Sequence, residues 1–143
     1  MLEKIDHIGV AVPDLDAAVE SYRLLFGIEP SHREVVDSDG VETVMFEVGE
    51  SRVELLGSLG ADSKIANFLE KRGGGIHHVA YGVPDVQSAL DRLAADGVQL
   101  LDHSPRPGAG GKLVAFVHPR SVGGVLTELC QEDPAAAGGG RGR

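Results

Sequence analysis

Two stretches of this chain repeat each other at a constant spacing of 71 residues. The segment HIGVAVPDL begins at His7, and the related segment HVAYGVPDV begins at His78. The same spacing matches Asp14 with Asp85. Because an internal repeat marks a duplicated structural unit, the chain is restricted to folds that contain two copies of one supersecondary pattern.

An amphipathic helix follows the opening strand of each repeat. After Asp14 and Asp85, apolar residues recur at the i, i+3, i+4, i+7 spacing that defines one face of a helix. The two aspartates are predicted to occupy the N-cap position, where a carboxylate accepts hydrogen bonds from free backbone N–H groups. Gly27 and Gly97 stand where the helices should end. Each half is therefore predicted to open with a strand and then a helix.

Three strand-like runs follow each helix. They span residues 32–37, 42–48 and 52–56 in the first half, and 98–101, 113–118 and 125–130 in the second. We therefore predict an α+β fold of two βαβββ modules related by a pseudo-twofold axis, which form a curved mixed sheet.

The modules are predicted to form one domain of residues 1–132. They cover about residues 2–57 and 75–132, and a linker helix over about residues 62–72 joins them. The Gly/Ala-rich tail of residues 133–143 lacks apolar periodicity, which predicts disorder.

The composition excludes several classes of function. The net charge of −9 disfavours binding to nucleic acid or to an anionic membrane, since both need a basic surface. Neither a membrane span nor a signal peptide is recognisable, and one cysteine cannot form an intramolecular disulfide. We therefore expect a cytoplasmic protein.

Four chemistry-bearing residues occupy matching places in the repeats. Strand alternation puts His7 and His78 on faces otherwise lined by small residues, which leaves room for a cavity. Glu54 and Glu128 lie in the last apolar strand of each half, where a carboxylate is costly unless it is paired or bound to metal. Pairing of Glu54 with Arg52 is the alternative.

The repeated appearance of both residue types favours one metal site that the pseudo-twofold axis brings together. Two imidazoles and two carboxylates suit cobalt, manganese, nickel, iron, zinc or magnesium, and ligand type alone does not choose among these metals. His77 lies on the opposite, packing face of its strand, and we expect it either to be structural or to support a metal ligand without binding the metal itself.

The segments DHIGVAVPDL and GGGIHHVAYGVPDV resemble the vicinal oxygen chelate superfamily, which includes glyoxalase I, extradiol dioxygenases and fosfomycin and bleomycin resistance proteins. The later segments FLEKRGGGIHHVAY, PRPGAGGK and VAFVHPRSVGGVLTEL closely resemble the methylmalonyl-CoA epimerase family. The resemblance runs from about Leu2 to Gln131.

The resemblance implies an isomerase that interconverts (2R)- and (2S)-methylmalonyl-CoA by α-proton abstraction and return through a metal-stabilised enolate. It places the metal ligands on His7, Glu54, His78 and Glu128, with Co²⁺ as the first choice and Mn²⁺, Ni²⁺, Zn²⁺, Mg²⁺ or Fe²⁺ as alternatives. Glu128 is also the implied group for one proton transfer. Some relatives carry a glutamate where this chain has Thr43, so we expect a water near Thr43 to carry the second proton.

The resemblance also implies a homodimer and a role in propionate metabolism. In the loop PGAGGK, Gly110 and Gly111 permit close approach of a backbone to substrate, and Lys112 or Arg106 is placed to meet a phosphate of coenzyme A. The alternative is that this loop only connects two strands. We also expect His118 to line the site, with the alternative that it simply ends a strand.

Three other functions stay open at this point. A glyoxalase-type isomerase uses a similar four-ligand set. An extradiol dioxygenase uses two histidines and one glutamate around iron(II), and Glu54 would crowd the positions that its substrates need. A non-enzymatic resistance-type binding protein is the third alternative.

Overall fold

The computed structural model describes residues 2–135, and the chain divides into two compact units. The first unit is His7–His77. The second unit combines the described parts of residues 1–6 and 78–143. Each unit is an α+β arrangement built around a mixed sheet.

The first unit follows the βαβββ pattern and ends in a linker helix. Its elements are β1 (Lys4–Val12, which starts in the second unit), α1 (Leu15–Phe26), β2 (His32–Val36), β3 (Val41–Val48), β4 (Ser51–Ser58) and α2 (Ala66–Arg72). The strand order is β2-β3-β4-β1, with β1 parallel to β4 and the other pairs antiparallel.

The second unit repeats this pattern with a much shorter second strand. Its elements are β5 (Gly75–Gly82, which starts in the first unit), α3 (Val86–Ala95), β6 (Arg106–Pro107), β7 (Lys112–Val117) and β8 (Thr127–Glu132). The strand order is β5-β8-β7-β6, with β5 parallel to β8. The predicted duplication of a βαβββ pattern is thus confirmed.

The predicted helix starts are confirmed by capping hydrogen bonds. The Asp14 carboxylate accepts from the Ala17 N–H at 3.0 Å, and the Asp85 carboxylate accepts from the Ser88 N–H at 3.1 Å. Helix α1 ends at Phe26 and is capped by Gly27, whose φ of 70° is the left-handed conformation that glycine adopts without strain.

Two element predictions need correction. The predicted strand over residues 98–101 is wrong, because this stretch contributes only a single bridge between Leu100 and Val117. Helix α3 stops at Ala95, and the chain reaches the sheet edge later, at β6. The linker helix predicted over residues 62–72 begins at Ala66. Residues 136–143 of the predicted disordered tail lie outside the described part of the chain.

The helix-packing faces of the two units are filled differently. In the first unit, Tyr22, Phe26 and Phe46 form an aromatic cluster, with ring centroids 5.4 to 6.4 Å apart. At the 71-residue spacing these positions become Leu93, Gly97 and Val117. A cavity of about 660 Å³ lies beside α3, lined by Leu93 and Val117 among others. In the second unit, these smaller side chains thus leave a cavity, whereas in the first unit three aromatic rings fill the corresponding space.

Across residues 2–135, we find no helix with the length and apolarity required to cross a membrane.

Candidate metal centre

The first unit carries one buried histidine–glutamate pair. Strands β1 and β4 run side by side, with Gly9 opposite Glu54, so His7 and Glu54 project from the same face. His7 Nε2 lies 3.4 Å from Glu54 Oε1. Both residues are 5% exposed. The small neighbour Gly9 leaves the space in which the two side chains meet.

The second unit carries an equivalent pair. Strands β5 and β8 are again parallel, with Ala80 opposite Glu128. His78 Nε2 lies 3.2 Å from Glu128 Oε1, and both residues are almost completely buried. The neighbour Ala80 stands where Gly9 stands in the first unit. The sequence repeat is therefore also a repeat of side-chain chemistry.

The residues of each pair fit a divalent metal. Burying a carboxylate is costly unless a cation or hydrogen-bond donors compensate its charge. In both pairs the imidazole nitrogen and the carboxylate oxygen are close enough for one cation to contact both atoms. Each pair therefore presents one imidazole nitrogen and one carboxylate oxygen that a single cation can bind together.

Phe116 supports the second pair and was missed by the sequence analysis. It lies opposite Glu128 in the β7–β8 register, so it shares that face of the sheet. Its ring meets the His78 ring edge-on, with centroids 5.7 Å apart. The Arg106 guanidinium lies 5.5 Å from the Phe116 centroid, and the Asp102 carboxylate accepts from the Phe116 N–H at 2.8 Å. These contacts restrict the orientation of His78.

Arg106 also lies 3.6 Å from the Asp102 carboxylate, with about a third of its side chain exposed. Its guanidinium is thus held over Phe116, and a role in binding a phosphate of coenzyme A stays a prediction.

His77 contacts a different part of the chain from its neighbour His78. Its ring meets the Phe68 ring of the linker helix edge-on, with centroids 5.0 Å apart. This packing contact agrees with the structural role expected for His77.

Thr43 is a buried residue on β3. It is 1% exposed, and its hydroxyl has no hydrogen-bond partner within the described chain. A buried hydroxyl without a protein partner typically binds an ordered water. Glu34, which the sequence analysis did not consider, lies directly opposite Thr43 in the β2–β3 register.

The residues predicted to contact substrate have mainly local interactions. Lys112 Nζ lies 3.4 Å from Asp6 Oδ1 and 2.7 Å from Glu132 Oε2, and little of its side chain is exposed. His118 Nδ1 accepts from the Arg120 N–H at 3.0 Å and so caps a short 3₁₀ helix. Lys112 therefore has a structural function in this geometry, whether or not it also contacts a substrate.

Gly110 and Gly111 both have a φ of 71°. They lie in the turn between β6 and β7, and glycine adopts this left-handed conformation more easily than other residues. Their predicted contact with substrate stays untested.

Cys130 lies beside the second pair, on β8. Burial raises the pKa of its thiol far above the usual range, and the neighbouring Asp6 and Glu128 carboxylates add to this effect. The thiol therefore stays protonated at neutral pH, as a buried and unreactive cysteine.

Comparison with known proteins gives a family match. Residues 6–116 match the model of the glyoxalase/bleomycin resistance protein/dioxygenase superfamily. The chain is 41% identical to the ethylmalonyl-CoA/methylmalonyl-CoA epimerase of Cereibacter sphaeroides, over 92% of this chain and 99% of that protein. It is 38% identical to the human mitochondrial methylmalonyl-CoA epimerase, over 91% of this chain and 74% of that protein.

A solved structure agrees with these sequence matches. It is a methylmalonyl-CoA epimerase in complex with methylmalonyl-CoA and NH₄⁺, which is 39% identical and has a TM-score of 0.89. The likeness covers 94% of this chain and 97% of that one. The resemblance inferred from the motifs is thus confirmed, and this chain belongs to the glyoxalase/bleomycin resistance protein/dioxygenase superfamily, in the branch that contains the methylmalonyl-CoA epimerases.

Proposed function

We propose that this protein interconverts (2R)- and (2S)-methylmalonyl-CoA, using one divalent metal bound by His7, Glu54, His78 and Glu128. The observation that carries the proposal is the pair of buried histidine–glutamate contacts, at 3.4 Å and 3.2 Å, in equivalent places of two repeated units. The relatives named as epimerases of this substrate, which match nearly the whole chain, support the same conclusion.

The four residues would each contribute one ligand atom. Two neutral imidazoles and two carboxylates bring a charge of −2 to a divalent cation, so the buried site would be neutral overall. The bound metal would act as a Lewis acid on the oxygens of the substrate and would accept the charge that develops as the α-proton leaves. Co²⁺ is the proposed metal, with Mn²⁺, Ni²⁺, Zn²⁺, Mg²⁺ and Fe²⁺ as alternatives.

The protons are moved by residues of this chain. Glu128 is the proposed group on one side of the α-carbon. On the other side, the Thr43 hydroxyl would hold the water that carries the second proton, which its lack of a protein partner supports. A threonine hydroxyl is itself too weakly acidic to be the base at neutral pH, so the water needs a further acceptor.

The substrate-binding part of the proposal assigns Lys112, Gly110, Gly111 and His118 to contact with the acyl-CoA. The homodimer, the cytoplasmic location and the role in propionate metabolism stay predictions. A glyoxalase-type isomerase or a dioxygenase would use the same metal ligands with a different substrate. The relatives named as epimerases favour an acyl-CoA as the substrate.

Exchange with solvent deuterium tests the function. One epimer of methylmalonyl-CoA is incubated in deuterated water with the metal-loaded protein and, separately, with the chelator-treated protein. We expect metal-dependent deuterium at the α-carbon together with inversion. A folded, metal-loaded sample that neither exchanges nor inverts the substrate would exclude the proposal, and turnover of a glutathione hemithioacetal or of a catechol would identify a rival activity.

A further inference from the structure

We propose that Glu34 is the second proton-transfer group of this enzyme, and that Thr43 is the positioning residue for the water between Glu34 and the substrate. This inference rests on the proposed function, because it names the group that accepts the second proton. The Thr43 hydroxyl cannot be that group. Neither the motifs nor the spacing of acidic residues in the sequence singled out Glu34.

The strand register puts Glu34 on the same face as the first metal-binding pair. Residues directly opposite each other in neighbouring strands project to the same side of a sheet. The register links Glu34 on β2 to Thr43 on β3, and Thr43 to Leu56 on β4. Glu54 lies two residues before Leu56 on the same strand, so it shares this face.

The position of Thr43 defines where a water would bind. Thr43 lies one strand closer to Glu54 than Glu34 does, and it is buried. A carboxylate on the outer strand and a buried hydroxyl on the inner strand give a water two polar neighbours on one face. The order of these groups from the edge strand inward is therefore carboxylate, hydroxyl and metal-binding pair.

Glu34 is itself held in place. Its side chain is 30% exposed, and its Oε1 lies 2.5 Å from His32 Nε2. His32 lies two residues earlier on β2 and thus on the same face. This contact orients the carboxylate while part of the side chain stays open to solvent, with which a proton-transfer group must equilibrate after turnover.

Two other glutamates on β3 fit the role less well. Glu42 projects to the opposite face, where it binds Arg33 at 2.8 Å, and Arg33 also binds Asp16 of α1. Glu47 shares the face of Thr43 but is exposed, and it accepts a hydrogen bond from the Ser31 hydroxyl at 2.9 Å. Among these glutamates, Glu34 alone is the direct cross-strand neighbour of the Thr43 hydroxyl.

Glu34 and Glu128 together accept and donate the two protons of the reaction. In one direction, the α C–H bond breaks, its electron pair stays with the substrate, and the proton passes through the water to the Glu34 carboxylate. Glu128 first takes up a proton from solvent on the oxygen that is not a metal ligand. It then gives this proton to the opposite face of the α-carbon, where the new C–H bond forms, and returns to the carboxylate form. The reverse reaction returns both protons, and nothing is oxidised or reduced.

The test separates proton exchange from inversion. Glu34→Gln is compared with the matched control Glu42→Gln, and each epimer is incubated separately in deuterated water. We expect Glu34→Gln to lower inversion by about 100-fold or more, which is the usual contribution of a general acid or base. The epimer whose α-proton faces Glu128 should still exchange it for deuterium with retained configuration, and Glu42→Gln should behave as the wild type does.

Thr43→Val supplies a second variant of nearly the same shape. We expect it to slow inversion while one epimer still exchanges, as in Glu34→Gln. Bound metal and thermal melts are measured for each variant, and both should match the wild type. Inversion at the wild-type rate in Glu34→Gln, or loss of exchange for both epimers, would overturn the assignment. Failure of the proposed function is distinct, since the wild-type protein itself would then exchange neither epimer.

Discussion

Two neighbouring histidines on β5 offer a sharp test of the metal site. His78 is almost completely buried and lies 3.2 Å from the Glu128 carboxylate. His77 contacts the Phe68 ring instead. His78→Ala should therefore abolish metal binding, whereas His77→Ala should leave it intact and remove the packing contact with Phe68.

The size of the effect follows from linkage between binding and folding. Free metal at 100 times its dissociation constant stabilises a one-site protein by about 2.7 kcal/mol. In a chain of this length, each kcal/mol changes the melting temperature by roughly 3–4 °C. The wild type and His77→Ala should each gain about 10 °C when metal is added. His77→Ala should also start about 1 kcal/mol less stable, because it loses one aromatic edge contact.

The assay is thermal unfolding followed by circular dichroism, with Co²⁺ and with a chelator as the control. His78→Ala should show the same melting temperature in both conditions. A Co²⁺-dependent gain in His78→Ala that equals the wild-type gain would refute the assignment of His78 as a ligand. Loss of the gain in His77→Ala would show that the two faces of the strand have been assigned the wrong way round.

Three further outcomes test the surrounding structure. Lys112→Met should lower the free energy of unfolding by about 3 kcal/mol in a denaturant titration, because it removes the ammonium that lies 3.4 Å from the buried Asp6 carboxylate; an unchanged stability with a raised KM would instead show that Lys112 acts mainly on substrate. Cys130 should not react with a thiol reagent at pH 8 until the protein unfolds, since burial raises the pKa of its thiol, and rapid labelling of the folded protein would contradict this. Phe46→Ala should cost about 3–5 kcal/mol in the same titration, because its ring is fully buried against two others; a loss below about 1 kcal/mol would show that the aromatic cluster adds little.

The repeated elements were predictable because their signals are local. Asp14 and Asp85 cap the helices with contacts three residues away, and Gly27 takes a backbone conformation that few other residues adopt. The faces of His7 and His78 followed from strand alternation alone. Sequence reasoning therefore reached the pattern of each half and selected the four residues that make the two histidine–glutamate contacts.

Other features depend on tertiary context that the sequence does not display. The run 98–101 has strand-like residues, yet it makes only one bridge, at Leu100, because the chain rejoins the sheet edge at β6. The contact of Phe116 with His78 and the opposition of Glu34 to Thr43 both depend on strand register, which pairs residues distant in sequence. The pairing of Lys112 with Asp6 joins residues 106 positions apart.

The amount of metal bound per chain tests the central claim most directly. Metal-free protein is titrated with Co²⁺, and bound metal is measured after removal of the excess, for the wild type and for His7→Ala and His78→Ala. One cation per chain in the wild type, and loss of that cation when either histidine is changed, is the predicted result. Two independent cations per chain, or one that survives either change, would contradict a single site shared by the two repeats.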